Sequence, residues 1–254
     1  PAPPPAEVAK APPPTKPQRP AVQGELLARW VLVEWMLFVA VGLACAYAAS
    51  KTMLLIACLF ALQGVLYNVP PIRLKDKAYL DVISESVNSP FRLMIGWAMI
   101  DPSTLPPGSV ILAYWLGGAF LMAAKRLSEY REIVSSHGKD LLVRYRTSFA
   151  NYTDTSLNVS CFVYAMLSSF FLAVFLMKYR IEYIVLMPLI VALFCQYLAM
   201  SMQPGSSAQK PEKLFRERKL ILWLGVLAIG FAVLTFVNLP MLESLTAQQF
   251  IVLQ

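Results

Sequence analysis

The sequence predicts an all-α integral membrane protein of about seven transmembrane helices, with its N-terminus in the cytoplasm. Three observations lead there. Apolar residues make up 57% of the chain, mean hydropathy is +0.57 and charged residues are 15%, against about 25% in a soluble domain. Seven stretches come close to the ~20 apolar residues that a helix needs to cross a bilayer. Most of the 22 basic residues fall at one end of those stretches, and basic loops stay in the cytoplasm.

The predicted spans are 32–49, 52–67, 82–100, 109–124, 159–177, 181–202 and 220–239. Lys10, Lys16, Arg19 and Arg29 precede the first. The second stops at Pro70-Pro71, which cannot continue a helix, and Arg73, Lys75 and Lys77 follow it. The third contains Glu85, Asn88, Pro90 and Arg92, the polar composition that a membrane protein turns toward a functional cavity. Without this span the basic loops would not alternate. The fourth runs into a segment containing Lys125, Arg126, Arg131, Lys139, Arg144 and Arg146. The fifth and sixth are separated by Lys178 and Arg180, on the sparsely charged side. The seventh follows Lys210, Lys213, Arg216, Arg218 and Lys219. The net charge of +7 thus reports topology and an anionic surface or ligand, with no call for nucleic acid.

Residues 1–24 form a Pro/Ala-rich tail that cannot build a packed core, and 25–254 form the helical bundle. The tail lacks the apolar region of a signal peptide, Pro1 fits removal of an initiator Met, and such a segment suits contact with neighbouring subunits. Cys45, Cys58, Cys161 and Cys195 lie within spans without metal-ligand spacing, which predicts buried small hydrophobes. His137, beside Gly138, reads as a solvated loop residue. No GxSxG, CxxC, HExxH or P-loop pattern occurs.

Chemistry-capable side chains concentrate on the basic side: Arg73 and Lys75 after the double proline, Asp81 and Arg92 further on, and the run Lys125-Arg126-Leu127-Ser128-Glu129. Cations at a membrane face with carboxylates nearby suit a phosphate or diphosphate, with or without a divalent ion. They also suit plain positive-inside anchoring.

YNVPPIRLK, beginning at Tyr67, resembles the Y-x-x-P-P-x-R-L-K signature of the UbiA superfamily of membrane prenyltransferases. Arg19, Pro20 and Gly24 are similar to that superfamily's RP-x-x-x-G element. AKRLSE, residues 124–129, and Arg92 resemble the decaprenyl-phosphate phosphoribosyltransferase-like branch. The resemblance implies a UbiA-type helical bundle around a membrane-open cavity that takes a polyprenyl phosphate, with Mg²⁺ as cofactor if the protein is active. It also implies phosphate binding by Arg73, Lys75, Arg92, Lys125 and Arg126, with Glu129 as a metal or hydroxyl partner.

The family pattern has nine helices and an acidic N-D-x-x-D-x-x-x-D motif upstream of RP-x-x-x-G. Here the Pro/Ala tail stands at that place, with Glu7 its one carboxylate, and the first two helices are lacking. Three readings follow. One is a degenerate relative, retained as a structural or lipid-, quinone- or pigment-binding subunit of a larger assembly in a bacterial inner membrane. Another is an active Mg-dependent transferase whose acidic motif comes from another chain or a longer native sequence. The third is an unrelated transporter or receptor, for which no inverted-repeat pattern is visible.

Overall fold

The computed structural model describes residues 28–203, 205, 206, 208, 214 and 217–242. The predicted tail, the RP-x-x-x-G element and Lys210, Lys213 and Arg216 lie outside the described residues. Among the described residues, nine α-helices and three short 3₁₀ segments occur and no strand does.

Helix α1 (Ala28–Ala49) is 22 residues long, about 33 Å at 1.5 Å per residue, enough to cross the ~30 Å hydrocarbon core. Ser50 alone separates it from α2 (Lys51–Asn68), which it caps by accepting the Met53 amide at 3.0 Å. Helix α2 ends ahead of the double proline, as predicted. The chain then turns through a 3₁₀ segment (Leu74–Asp76) flanked by two left-handed non-glycine residues, Arg73 at φ 38° and Tyr79 at φ 65°. Such conformations persist where the surrounding structure enforces them.

The third predicted span is helical but broken. It consists of α3 (Leu80–Ser86) and α4 (Asn88–Ile100), joined at Val87. The cause lies in the backbone carbonyls. Trp115 Nε1 donates to the Ile83 carbonyl at 3.0 Å, Gln63 donates to that of Ser84, and the Ser84 and Ser86 hydroxyls donate back one turn. Pro90 has no N–H for the Ser86 carbonyl. Neighbouring side chains thereby satisfy groups that a straight helix would have paired internally. Six described helical segments are each long and apolar enough to cross a membrane; the third predicted span, broken into α3 and α4, is not among them.

Helix α5 (Gly108–His137) has 30 residues, about 45 Å, and outruns the predicted fourth span by more than three turns. His137 therefore closes a helix rather than sitting in a loop. After α6 (Asp140–Tyr145) and a 3₁₀ segment (Thr147–Asn151) comes α7 (Asp154–Tyr179). A reciprocal capping box starts α7: Thr153 Oγ1 accepts the Ser156 amide at 3.0 Å, and Ser156 Oγ accepts the Thr153 amide at 2.9 Å. The sixth predicted span begins as 3₁₀ (Ile181–Leu186) and continues as α8 (Met187–Ser201); the seventh is α9 (Arg218–Phe236).

The core lies where α5 meets α3, α7 and α8, around Val82, Phe120, Leu127, Leu157 and Cys161. Small residues bring the helices close, as membrane packing requires. A Cβ on Gly118 would meet Ser89 Oγ at 2.8 Å and the Ser86 carbonyl at 3.3 Å; one on Gly117 would meet Ser168 Oγ at 3.2 Å. Only one of the four cysteines, Cys161, is packed inside the bundle. Cys45, Cys58 and Cys195 are exposed, because a face that meets lipid needs no burial in protein to be apolar. The alternating helices gather Arg73, Lys75, Lys125, Arg146, Arg218 and Lys219 at one end, hereafter the basic end.

Candidate functional site

Asp81 and Glu85 stand four residues apart on α3, and Arg126 and Glu129 three apart on α5, so each pair shares a helix face. At the basic end the two faces meet. Arg126 Nε donates to Asp81 Oδ2 at 3.2 Å, Nη1 to Glu129 Oε2 at 2.8 Å and Nη2 to Glu85 Oε2 at 2.9 Å. One guanidinium thus holds three carboxylates. Arg126 is 2% exposed and Asp81 0%, so each charge depends on the others in place of water.

Side chains from α2 and the 146–152 connection close around this centre. Tyr67 at the end of α2 donates to Glu85 Oε2 at 2.8 Å and accepts from Arg146 Nη2 at 3.1 Å. Arg146 Nη2 also lies 3.2 Å from Asp81 Oδ2. Ser148 Oγ donates to Asp81 Oδ2 at 3.1 Å, and Tyr152 OH to Asp81 Oδ1 at 2.7 Å. Burial, and then the Asp81 carboxylate, push the Tyr152 phenol well above its ordinary pKa, so it remains a donor. Its oxygen also accepts the Tyr79 amide at 2.6 Å, which holds the left-handed Tyr79 in place. Three carboxylates face two arginines, and α2, α3, α5 and the 146–152 connection are tied into one unit.

Beside this unit a groove of about 680 Å³ runs between α1, α2 and α4. Gly64 and Asn88 line it toward the basic end, and Ala49, Met53 and Met99 toward the other. Apart from Asn88 its wall is aliphatic, aromatic or small. Such a surface offers a hydrocarbon chain contact without polar demands.

Compared with known families, residues 9–225 match the UbiA prenyltransferase family. The chain belongs to that family. No curated protein matches it.

The UbiA assignment allows the predicted residues to be judged by position. Arg126 and Glu129 meet within the network. Arg73 Nε is 2.8 Å from Asp76 Oδ2, and Lys75 Nζ donates to Asn68 Oδ1 at 3.2 Å; both sit in the turn after α2. The Lys75 carbonyl accepts from Arg146 Nη2 at 3.4 Å. Arg92 is exposed on α4, one turn beyond Asn88, on the face that includes Ile95 and Met99. Lys125 is half-buried next to Arg126. Neither Arg92 nor Lys125 has an ion pair or side-chain hydrogen bond among the described residues. Of the five predicted cations, Arg73, Lys75 and Arg126 thus have side-chain partners within the protein, and Arg92 and Lys125 have none among the described residues.

The Mg²⁺ implied by the UbiA resemblance does not fit the carboxylates of the network. Asp81, Glu85 and Glu129 converge on Arg126, and a divalent ion brought among them would face a guanidinium at hydrogen-bond distance. Among the described residues, no group of three His, Cys, Asp or Glu could hold a metal. Glu129, expected as a metal or hydroxyl partner, accepts from Arg126.

Sequence reasoning did not assign Glu85, Tyr67, Arg146, Ser148 or Tyr152 to the site. The four-residue spacing of Asp81 and Glu85 could have flagged one acidic helix face. The 146–152 residues come from a connection without periodicity and had no such signal.

Proposed function

We propose that this chain is a polyprenyl-phosphate-binding UbiA relative that serves as a lipid-, quinone- or pigment-holding subunit of a larger membrane assembly, without transferring a group itself. The observation that carries this reading is Arg126. It occupies the three carboxylates that would otherwise be available to a metal–diphosphate complex. The groove between α1, α2 and α4 takes the polyprenyl chain. Arg92, on that groove's face, and Arg73 and Lys75 in the turn after α2 attract the phosphate, with Lys125 flanking them on α5; Arg126, predicted to join them, is instead buried among its three carboxylates. The basic end faces the cytoplasm of a bacterial inner membrane, and the Pro-rich tail engages neighbouring subunits.

The test is binding of a radiolabelled polyprenyl phosphate to the purified protein, with and without Mg²⁺, followed by an assay for prenyl or phosphoribosyl transfer. The expected result is Mg²⁺-independent binding without turnover. Mg²⁺-dependent turnover by this chain alone would overturn the proposal.

A second reading, an active transferase of the decaprenyl-phosphate phosphoribosyltransferase-like branch, draws on the uncommitted Arg92 and Lys125, two cations suited to a diphosphate. Its acidic motif would come from another chain or a longer native sequence. Purification from native membranes, with identification of every stoichiometric partner, separates the two. Turnover restored by a partner bearing an acidic helix pair selects the second.

A further inference from the structure

A second cavity, of about 550 Å³, lies between α5, α7, α8 and α9, away from the groove described above. Its wall is apolar except for four hydroxyls, those of Ser89, Tyr114, Ser168 and Tyr197. Ser168 Oγ donates to the Ala113 carbonyl at 2.9 Å. Tyr197 is only 8% exposed, and its hydroxyl has no hydrogen-bond partner among the described residues. That hydroxyl, at the cavity wall and without a protein partner, is open to an acceptor supplied by an occupant.

At the basic end the cavity adjoins a polar pocket of about 490 Å³ between α8 and α9. Leu220 lines both. The polar pocket presents Gln196, Gln203, Glu217, Arg218 and Lys219. The side chains of Gln196, Arg218 and Lys219 have no partner among the described residues. Met200, which lines the polar pocket, stands three residues on from Tyr197 on α8, so the polar pocket lies within one helical turn of that phenol.

We propose that these joined spaces hold one anionic glycerophospholipid. Its phosphate lies between Arg218 and Lys219. The glutamine amides bond the hydroxyls of a glycerol headgroup, an ester carbonyl accepts from Tyr197, and an acyl chain fills the apolar cavity. Each moiety meets a group of matching chemistry, in the order in which a phospholipid carries them. The ester carbonyl distinguishes this occupant from a polyprenyl phosphate, which has no acceptor at that depth. The site is independent of the Arg126 network and of the groove between α1, α2 and α4.

The experiment uses the whole chain, delipidated in mild detergent and returned to nanodiscs of phosphatidylcholine doped with phosphatidylglycerol, phosphatidylethanolamine or a polyprenyl phosphate. Retained lipid is read by native mass spectrometry and thermal unfolding. Phosphatidylglycerol is expected to be retained selectively and to raise the melting temperature. Each cation at an anionic lipid surface contributes about fivefold, so the double variant Arg218→Gln, Lys219→Gln should bind about 25-fold more weakly. Tyr197→Phe should weaken binding about fivefold without unfolding the protein. Lys139→Gln, an exposed cation elsewhere at the basic end, should change nothing. Equal retention of all the lipids, preference for the polyprenyl phosphate, or wild-type retention by both site variants would overturn the assignment.

Discussion

The Arg126 network and the turn after α4 use polar residues in opposite ways. At the basic end, charges are buried and join elements far apart in sequence, with Arg126, Asp81, Glu85 and Arg146 drawn from α3, α5 and the following connection. At the other end, the turn after α4 is exposed, and apart from Thr52 Oγ1 donating to the Pro102 carbonyl at 2.8 Å its bonds are local. Asp101 accepts from its neighbours Ser103 and Thr104, and Thr104 accepts from Trp97 Nε1 at 3.1 Å. A network within a few residues only shapes a turn. A network across helices fixes how those helices meet, and the residues expected at the phosphate sit beside it.

The sharpest way to break this contrast is Arg126→Ala, which leaves three carboxylates facing one another in the bundle. Removing one partner of a buried ion pair costs about 3–5 kcal/mol, so the variant should unfold at much lower denaturant or fail to accumulate. A loss below about 1 kcal/mol would mean that the network is not the clamp described here. Gly118→Ala tests the packing beneath it. The added methyl would meet Ser89 Oγ and the Ser86 carbonyl, at about 1–3 kcal/mol, and a neutral result would show that α4 yields freely. Tyr152→Phe keeps the ring and removes the bonds to Asp81 and Tyr79, for about 1 kcal/mol. Its signature should be faster hydrogen exchange at the Tyr79 amide.

Asp101→Asn, at the opposite end, should leave the melting temperature unchanged. The Ser103 hydroxyl first, then that of Thr104, hold the Asp101 carboxyl below its usual 3.8. Because the folded pKa is the lower one, its small contribution is complete above that value and disappears as pH falls below it. A shift at neutral pH would remove the asymmetry between the two regions.

The sequence made the helices legible because a bilayer imposes a length and an apolar content on each, and the basic loops supplied the alternation. The break at Val87 was signposted by Glu85, Asn88 and Pro90, yet its form depends on Gln63 and Trp115 reaching over from other helices. The faces carrying Asp81 and Glu85, and Arg126 and Glu129, could be read from spacing alone. Their meeting could not, since it depends on how closely α3 approaches α5. The same limit applies to the cations: Arg73, Lys75, Arg92, Lys125 and Arg126 were grouped by charge, while geometry gives three of them partners and leaves Arg92 and Lys125 uncommitted.

Helix α1 is tied to α2 by the single residue Ser50, and its remaining surface, from Trp30 to Tyr47, is largely exposed apolar side chain. With the polyprenyl chain in the groove behind it, as proposed above, that apolar surface puts the opening against the bilayer, and a ligand reaches it by lateral diffusion in two dimensions. Occupancy then follows the ligand's mole fraction among the lipids: diluting membranes with buffer leaves it unchanged, and diluting them with other lipid lowers it.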